Sequence, residues 1–379
     1  MAITSFRKEY FFLSNFYKTN FIYNGIAYTT SEAAFQAQKT LDRNEHLRIS
    51  KMSPDDSKKA GRSLALREDW EEVKDQVMYD VLVAKFTQNA ELREKLIATG
   101  NEELVEGNDW NDKYWGVCNG VGKNQLGKTL MRIRSEMIYL VSLKNDIVDW
   151  IKKYFVDNAY PTAKAIIGIS GGKDSSVAAA LCAEALGKDR VVGVVMPQGI
   201  QEDINYSYQL IDFLGIQKYE VNILNAVNGV LNAINFSGLD ITEQAKINTP
   251  ARIRMTTLYA VAACIGGRIV NTCNLSEDYV GYSTKFGDSA GDFSPFANIP
   301  ATVVVKLGDI MGLPYELTHK TPIDGLCGKT DEENLGFSYQ TLDNYLLGVE
   351  KPSNELVEKI ETMHKRNLHK LEPMPKFEP

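Results

Sequence analysis

Apolar residues recur along this chain in two rhythms. From about residue 30 to 137 the spacing is helical: Trp70, Val73, Val77, Val81 and Ala84 predict a helix over Asp69–Phe86. Helices are also predicted over Ser31–Thr40, with Ser31 as N-cap, from Ser53-Pro54 with the proline in the first turn, and over Gln125–Met137. Phe21–Tyr28 reads as a short strand pair turning at Asn24-Gly25. After Ala165 the rhythm changes. Short apolar runs at Ala165–Ile169, Val191–Met196, Lys218–Ile223 and Arg268–Thr272 alternate with helical stretches at Ser176–Leu186, stopped by Gly187, and Asp203–Leu214, stopped by Gly215. That alternation predicts an α/β fold: a doubly wound parallel sheet behind a mostly helical α+β region, with ligands at the carboxyl ends of the strands. Between the two lies an apolar stripe of Leu140, Leu143, Ile147, Trp150, Ile151 and Tyr154. It is read as the first helix of a second domain, giving domains 1–140 and 141–379 joined without a flexible linker.

Composition narrows the class. A length of 379 residues suits two domains, and 44% hydrophobic residues suffice for packed cores. A net charge of -7 argues against nonspecific nucleic-acid binding. The 5 cysteines form no C-x-x-C pair and the 4 histidines no H-E-x-x-H, which disfavours thiolate zinc, zincin and disulfide-framework classes. The first residues lack the features of a secretory leader, and no apolar run is long enough to span a membrane. The expected setting is cytoplasmic, without a membrane partner.

Gly168-Ile169-Ser170-Gly171-Gly172-Lys173-Asp174-Ser175 follows a predicted strand and opens a predicted helix. Adjacent glycines let backbone N–H groups approach a phosphate at a helix N-terminus. The spacing is not that of a Walker A loop. Asp174 would repel phosphate unless a hard cation such as Mg²⁺ stood beside it. Downstream stand Asn248-Thr249-Pro250-Ala251-Arg252-Ile253-Arg254, predicted to open a long helix, and Val270-Asn271-Thr272-Cys273-Asn274-Leu275-Ser276-Glu277. Gly281 to Asp288 with Asp292, Asp331-Glu332, Leu335-Gly336, Ser338-Tyr339 and His364-Lys365-Arg366 complete the series.

The loop resembles the pyrophosphate loop of the N-type ATP pyrophosphatases, with their adenine-nucleotide α-hydrolase type of sheet. The whole series, over about 145–379, resembles the ammonia-dependent NAD synthetases. The resemblance implies ATP as co-substrate, bound by Gly168 through Ser175 and by Thr272. It implies Mg²⁺ on Asp174 and Glu277. Arg252, Lys285, Asp292, His364 and Lys365 would contact deamido-NAD, with ammonia as the second substrate and a homodimer as the assembly. Two positions depart from the family pattern: Ala301 stands where many members have Lys, and Ile323 where they have Ser or Thr. Cys118 is the one N-terminal cysteine and lacks an evident base, so a fused glutamine amidase is not expected.

The N-terminal blocks are Phe12 to Phe16, Ser31 to Lys39, Gly61-Arg62, Asp69-Trp70-Glu71, Lys85-Phe86, Leu104-Val105-Glu106, Asp112 to Gly116, Gly122 to Gly127, Leu130-Met131-Arg132 and Arg134. In order, over about 5–137, they resemble the NADAR superfamily of N-glycosidases acting on ribosylated or ADP-ribosylated compounds. That resemblance leaves ADP-ribosylated nucleic acid open as a partner. Glycosidic cleavage needs a carboxylate beside the anomeric carbon. Glu32 is the first choice, Glu106 and Asp112 the second, with Lys39 on the Glu32 helix face. Lys39, Arg62 and Arg134 are candidates for phosphate, and Trp70 and Trp115 for either a stacked base or core. A noncatalytic ADP-ribose or NAD sensor is the alternative for this domain. A degenerate dinucleotide-binding module is the alternative for the second.

Overall fold

The structure, a computed structural model, describes residues 2–320 and 330–378. Ile323 therefore lies outside the described residues. The chain forms two compact units, Met1–Leu143 and Lys144–Pro379.

In the first unit, strands β1 (Phe21–Tyr23) and β2 (Ile26–Tyr28) pair antiparallel, Phe21 opposite Tyr28. Asn24 and Gly25, at φ 50° and 70°, make the turn that an Asn-Gly pair favours. Helix α1 (Ser31–Ala37) is buried along its whole length. Its N-cap is Thr30, whose hydroxyl accepts from the Ala33 N–H at 3.1 Å, so Ser31 is the first helical residue and not the cap. The helix also ends at Ala37 rather than Thr40, which puts Lys39 in the turn beyond it. Helices α2 (Arg43–Ile49), α3 (Pro54–Ser63) and α4 (Trp70–Thr87) pack around α1. Ser53 caps α3 and Pro54 opens it, as the sequence suggests. Helix α5 (Ala90–Ala98) and the short parallel pair β3 (Gly107–Asn108) and β4 (Val117–Cys118) complete the unit.

Helix α6 (Gln125–Asn158) corrects the expectation of two helices. One buried stripe runs through Leu126, Leu130, Ile133, Met137, Leu140, Ile147, Ile151 and Phe155. No glycine or proline interrupts residues 128–158, so nothing ends the helix between the units. Its residues divide between them after Leu143.

The second unit is built on a wholly parallel sheet in the order β7-β6-β5-β8: β5 (Lys164–Gly168), β6 (Val191–Val195), β7 (Gln217–Glu220) and β8 (Gly267–Ile269). Helices α7 (Lys173–Leu186) and α8 (Ile204–Leu214) follow β5 and β6. Ile166, Val192 and Val194 pack with Val227 of α9 (Leu224–Phe236) and with Met255 and Leu258 of α10 (Glu243–Ile265). On the opposite face, a side chain at Gly193 would meet Ile211 of α8 at 3.2 Å, so the sheet is covered on both sides. Helix α10 opens at Glu243, capped by Thr242, and not at Asn248; Pro250 sits inside it. Beyond β8, α11 (Leu275–Val280), α12 (Ala301–Ile310), α13 (Tyr315–His319), α14 (Asp331–Leu335), α15 (Tyr339–Leu346) and α16 (Asn354–Leu371) follow in chain order. Val280, Ala301, Leu335, Phe337, Tyr339, Leu342 and Ile360 form a core shared by α11, α12, α14, α15 and α16.

Candidate functional site

Strand β5 ends at Gly168, and α7 begins five residues later. Gly171, at φ 76°, turns the chain back, and a Cβ there would lie 2.6 Å from the Tyr206 Cβ. Another residue would meet both strain and a packed neighbour. The Ser170 Oγ accepts from the Gly172 N–H at 3.3 Å and lies 3.1 Å from the Ser175 Oγ, so the loop is braced from within. Gly172 occupies the N-cap and supplies no capping side chain. The first turn of this 14-residue helix keeps backbone donors for an anion.

Two carboxylates from distant segments meet at this helix start. The Lys173 Nζ donates to Asp174 Oδ2 at 2.7 Å and to Glu277 Oε1 at 3.4 Å. Asn274 donates from Nδ2 to Asp174 Oδ1 at 3.0 Å while capping α11 in a reciprocal box with Glu277. The side chains of Lys173, Asp174 and Glu277 are 8%, 18% and 16% exposed. Burial, then the neighbouring Asp174, push the Glu277 carboxyl up to about 8. Burial disfavours the Lys173 ammonium, but Asp174 and Glu277 outweigh it and hold the amine above its ordinary range. Tyr339 closes the site, its ring 5.4 Å from the Lys173 Nζ and its hydroxyl 3.4 Å from Asp331 Oδ2. A point where two carboxylates already enclose one positive charge fits a divalent cation that completes its shell with phosphate oxygens and water. Among the described residues no group of three or more His, Cys, Asp or Glu side chains gathers as a metal cage, so other oxygens would have to come from substrate and solvent.

The remaining predicted positions fall at several places. Thr272 is half-buried in the segment between β8 and α11. Arg252 donates from Nε to the Lys285 carbonyl at 3.2 Å, and the Lys285 Nζ bonds the His369 carbonyl, so α10, the loop after α11 and α16 converge. His364 stacks on Tyr279 with ring centroids 3.9 Å apart, and Lys365 beside it is exposed. Asp292 is not brought to this group: its carboxylate accepts the Ile269 N–H at 2.7 Å and ties its loop to β8. Ala301 is buried in the apolar core at the start of α12, its N–H on the Ser276 Oγ at 2.9 Å.

In the first unit, Glu32 is 7% exposed, and its Oε1 accepts from Gln36 Nε2 at 2.9 Å. Burial raises its carboxyl above the usual range, while Lys58 and Lys39 pull it down and Asp112 pushes it up. Glu106 is pushed up to about 7 by burial and then by Asp112, with Arg7 and Lys58 opposing. One of its oxygens, Oε2, is buried without a hydrogen-bond partner. The Asp112 Oδ1 accepts the N–H groups of Tyr114 and Trp115 at 3.1 and 2.9 Å. Glu32, Glu106 and Asp112 therefore share one electrostatic neighbourhood. Lys39 is electrostatically coupled to Glu32, but its Nζ donates to the Gly61 carbonyl, 3.5 Å away. Trp70 and Trp115 both pack on Phe35, at 5.2 and 5.3 Å between centroids. Arg134 is spoken for by Thr99 and the Glu102 carbonyl, at 2.8 and 2.9 Å, away from a phosphate role. Arg62 is exposed on α3, and Cys118 is buried.

Known proteins carry the same two halves. The NAD synthase family model matches residues 143–374. The chain belongs to the NAD synthase family. The NADAR domain model matches residues 4–138, so the chain is a fusion of a NADAR domain with an NAD synthase domain. An NH(3)-dependent NAD(+) synthetase of Methanocaldococcus jannaschii is 41% identical over 216 residues, 54% of this chain and 82% of that one. An NMN synthetase structure from Francisella tularensis has a TM-score of 0.57 at 32% identity, covering 63% of this chain and 99% of that chain. The E. coli protein YbiA is 42% identical over 37% of this chain and 84% of its own, at a TM-score of 0.34. The chain is an enzyme, a ligase of the ammonia-dependent NAD synthetase kind, and its family uses ATP as a substrate. Among the described residues no helix is long and apolar enough to cross a membrane.

Sequence reasoning gave no role to Lys58, whose charge opposes the upward shift of both Glu32 and Glu106, or to Lys173 beyond its place in the phosphate loop. Asn274 and Tyr339 of the synthase unit were visible only as members of motif blocks. For Lys58 the sequence offered no signal, because its partners come from other elements.

Proposed function

We propose that the synthase unit converts the acid form of the dinucleotide to NAD in two steps. A nicotinate carboxylate oxygen attacks the α-phosphorus of ATP and expels pyrophosphate. Ammonia then adds to the activated carbonyl carbon and AMP leaves. The observation that carries this reading is the uncapped start of α7 beside the Lys173–Asp174–Glu277 cluster. The N–H groups of the first turn of α7 hold phosphate oxygens, and Lys173 adds a positive charge where negative charge accumulates on the leaving pyrophosphate. Asp174 and Glu277 would hold Mg²⁺, which when bound neutralises phosphate charge. Thr272 approaches ATP from the end of β8. Arg252, Lys285, His364 and Lys365 are assigned to deamido-NAD. No side chain serves as nucleophile; the site positions and stabilises.

The test is product analysis with ATP, Mg²⁺ and ammonium, offering deamido-NAD and nicotinate mononucleotide separately. AMP and pyrophosphate with NAD are expected; ADP and phosphate would reject the chemistry. The similarity to an NMN synthetase at 32% identity favours a second reading, in which the mononucleotide is turned over faster.

For the NADAR unit we propose hydrolysis of an N-ribosyl or ADP-ribosyl bond. Glu32 steadies positive charge at the anomeric carbon, Glu106 holds a proton for the leaving base, Asp112 raises both carboxyls, and Lys39 lowers that of Glu32. A homodimer through the synthase unit, expected from the family resemblance, agrees with the exposed apolar side chains of Val230, Phe236 and Tyr259, and light scattering checks it.

A further inference from the structure

Lys173 stands in an unusual place. Two carboxylates that the reading above gives to a divalent cation are both turned onto its ammonium, at 2.7 and 3.4 Å. All three side chains are less than a fifth exposed, so water cannot easily take over the neutralisation. The amine has no other hydrogen-bond acceptor among the described residues besides these carboxylates; the Tyr339 ring lies 5.4 Å away. Two anions so close, with an orphaned proton on one of them as the alternative, would cost the fold free energy without a cation between them.

We propose that Lys173 is a built-in counter-cation: it occupies the charge position between Asp174 and Glu277 when no metal is there, and yields it, turning to the phosphates of ATP, when a divalent ion arrives. The proposal rests on the assignment of these two carboxylates to the metal. Its physical content is competition. An ammonium and a divalent ion cannot both sit between the same two oxygens at contact distance, because like charges repel strongly in a partly buried site. Asn274 holds Asp174 by its other oxygen at 3.0 Å, and the capping box holds Glu277, so the carboxylates stay while the flexible lysine stem moves. The arrangement keeps the site folded between turnovers. It also makes metal binding weak until ATP supplies phosphate oxygens for both the ion and the displaced amine, which favours arrival of the two together.

The experiment uses the full chain and Mn²⁺ alone as probe, read by electron paramagnetic resonance. Lys173→Gln is expected to bind Mn²⁺ at least about tenfold tighter than the wild type in the absence of ATP. It should also melt lower without metal and regain more of its melting temperature than the wild type on adding Mn²⁺. Equal or weaker Mn²⁺ binding by Lys173→Gln overturns the counter-cation proposal while leaving the metal site intact. Binding that persists unchanged in Asp174→Asn and Glu277→Gln instead overturns the metal assignment, and the proposal with it. A second measurement needs no variant. Lys173 of the wild type, shielded in its ion pairs, should acylate several-fold faster with an amine-reactive reagent once Mn²⁺ is present, read by peptide mass spectrometry. No change at saturating Mn²⁺ overturns the displacement.

Discussion

The two units surround a buried carboxylate in different ways. In the synthase unit an ammonium is placed between the carboxylates: Asp174 and Glu277 both accept from Lys173, with Asn274 adding a hydrogen bond, although burial and Asp174 push the Glu277 carboxyl up to about 8. In the NADAR unit no ammonium sits between the carboxylates: burial raises Glu32 and Glu106, and the lysines near them make no ion pair with either among the described residues. The difference follows from the chemistry each is proposed to perform. Stabilising transferred phosphate needs fixed charge, whereas cleaving a glycosidic bond needs a proton that can leave.

The largest expected effect breaks the charged side of this comparison. Asp174→Asn or Glu277→Gln should lower NAD formation by about 10³-fold or more while base release by the NADAR unit is kept, measured by chromatography of both product sets. A synthase that loses less than tenfold would show that neither carboxylate holds an essential ion.

On the other side, Glu32→Gln keeps the shape and removes the charge. Base release from a ribosylated or ADP-ribosylated substrate should fall by about 10²–10⁴-fold, with ADP-ribose binding changed less than about tenfold by calorimetry. If the wild type binds ADP-ribose and cleaves nothing across a broad panel, the sensor alternative replaces the glycosidase.

The Glu106 carboxyl sharpens the contrast through pH. It is raised from 4.5 to about 7, so the protonated acid persists near neutrality and base release should decline as pH rises through about 7. Glu106→Gln should remove that decline along with most of the activity. In stability the folded state holds the extra proton, so the wild type loses stability relative to Glu106→Gln as pH rises from 4.5 to about 7 and nothing further above it. A flat difference in melting temperature across that window would contradict the burial argument.

The smallest effect concerns a structural cation. Lys85 is fully buried, its Nζ donating to the Phe12 and Ser14 carbonyls at 2.7 and 3.0 Å, and burial pulls it down to about 7. Here the unfolded chain holds the extra proton, so the wild type should gain stability relative to Lys85→Met as pH rises from about 7 to 10.5. Denaturant titrations at pH 7 and pH 10 measure it, and a gain at the lower pH would reverse the assignment. The same two bonds fix the segment whose Asn15 carbonyl accepts the Glu32 N–H at 3.0 Å, so a modest loss of NADAR activity should accompany the change.

What the sequence determined by itself is local. Asn24-Gly25 specified a turn because both residues tolerate positive φ, Ser53-Pro54 specified a helix start, and apolar runs alternating with helical stretches specified the parallel sheet. The phosphate loop was legible because its glycines and serines act on their own neighbours. The continuity of α6 was likewise readable in the sequence, which holds no glycine or proline over residues 128–158 to end the helix. Tertiary structure decided the rest. Asp292 and Arg134 found structural partners that motif blocks do not encode. Lys173 meets Glu277 across 104 residues, and the charge of Lys58 acts on Glu32 and Glu106 only when α1, α3 and the loop before β3 assemble. Backbone preference is set by adjacent atoms and can be read along the chain, whereas the charge state of a buried group is set by whichever atoms the fold brings within a few ångströms of it.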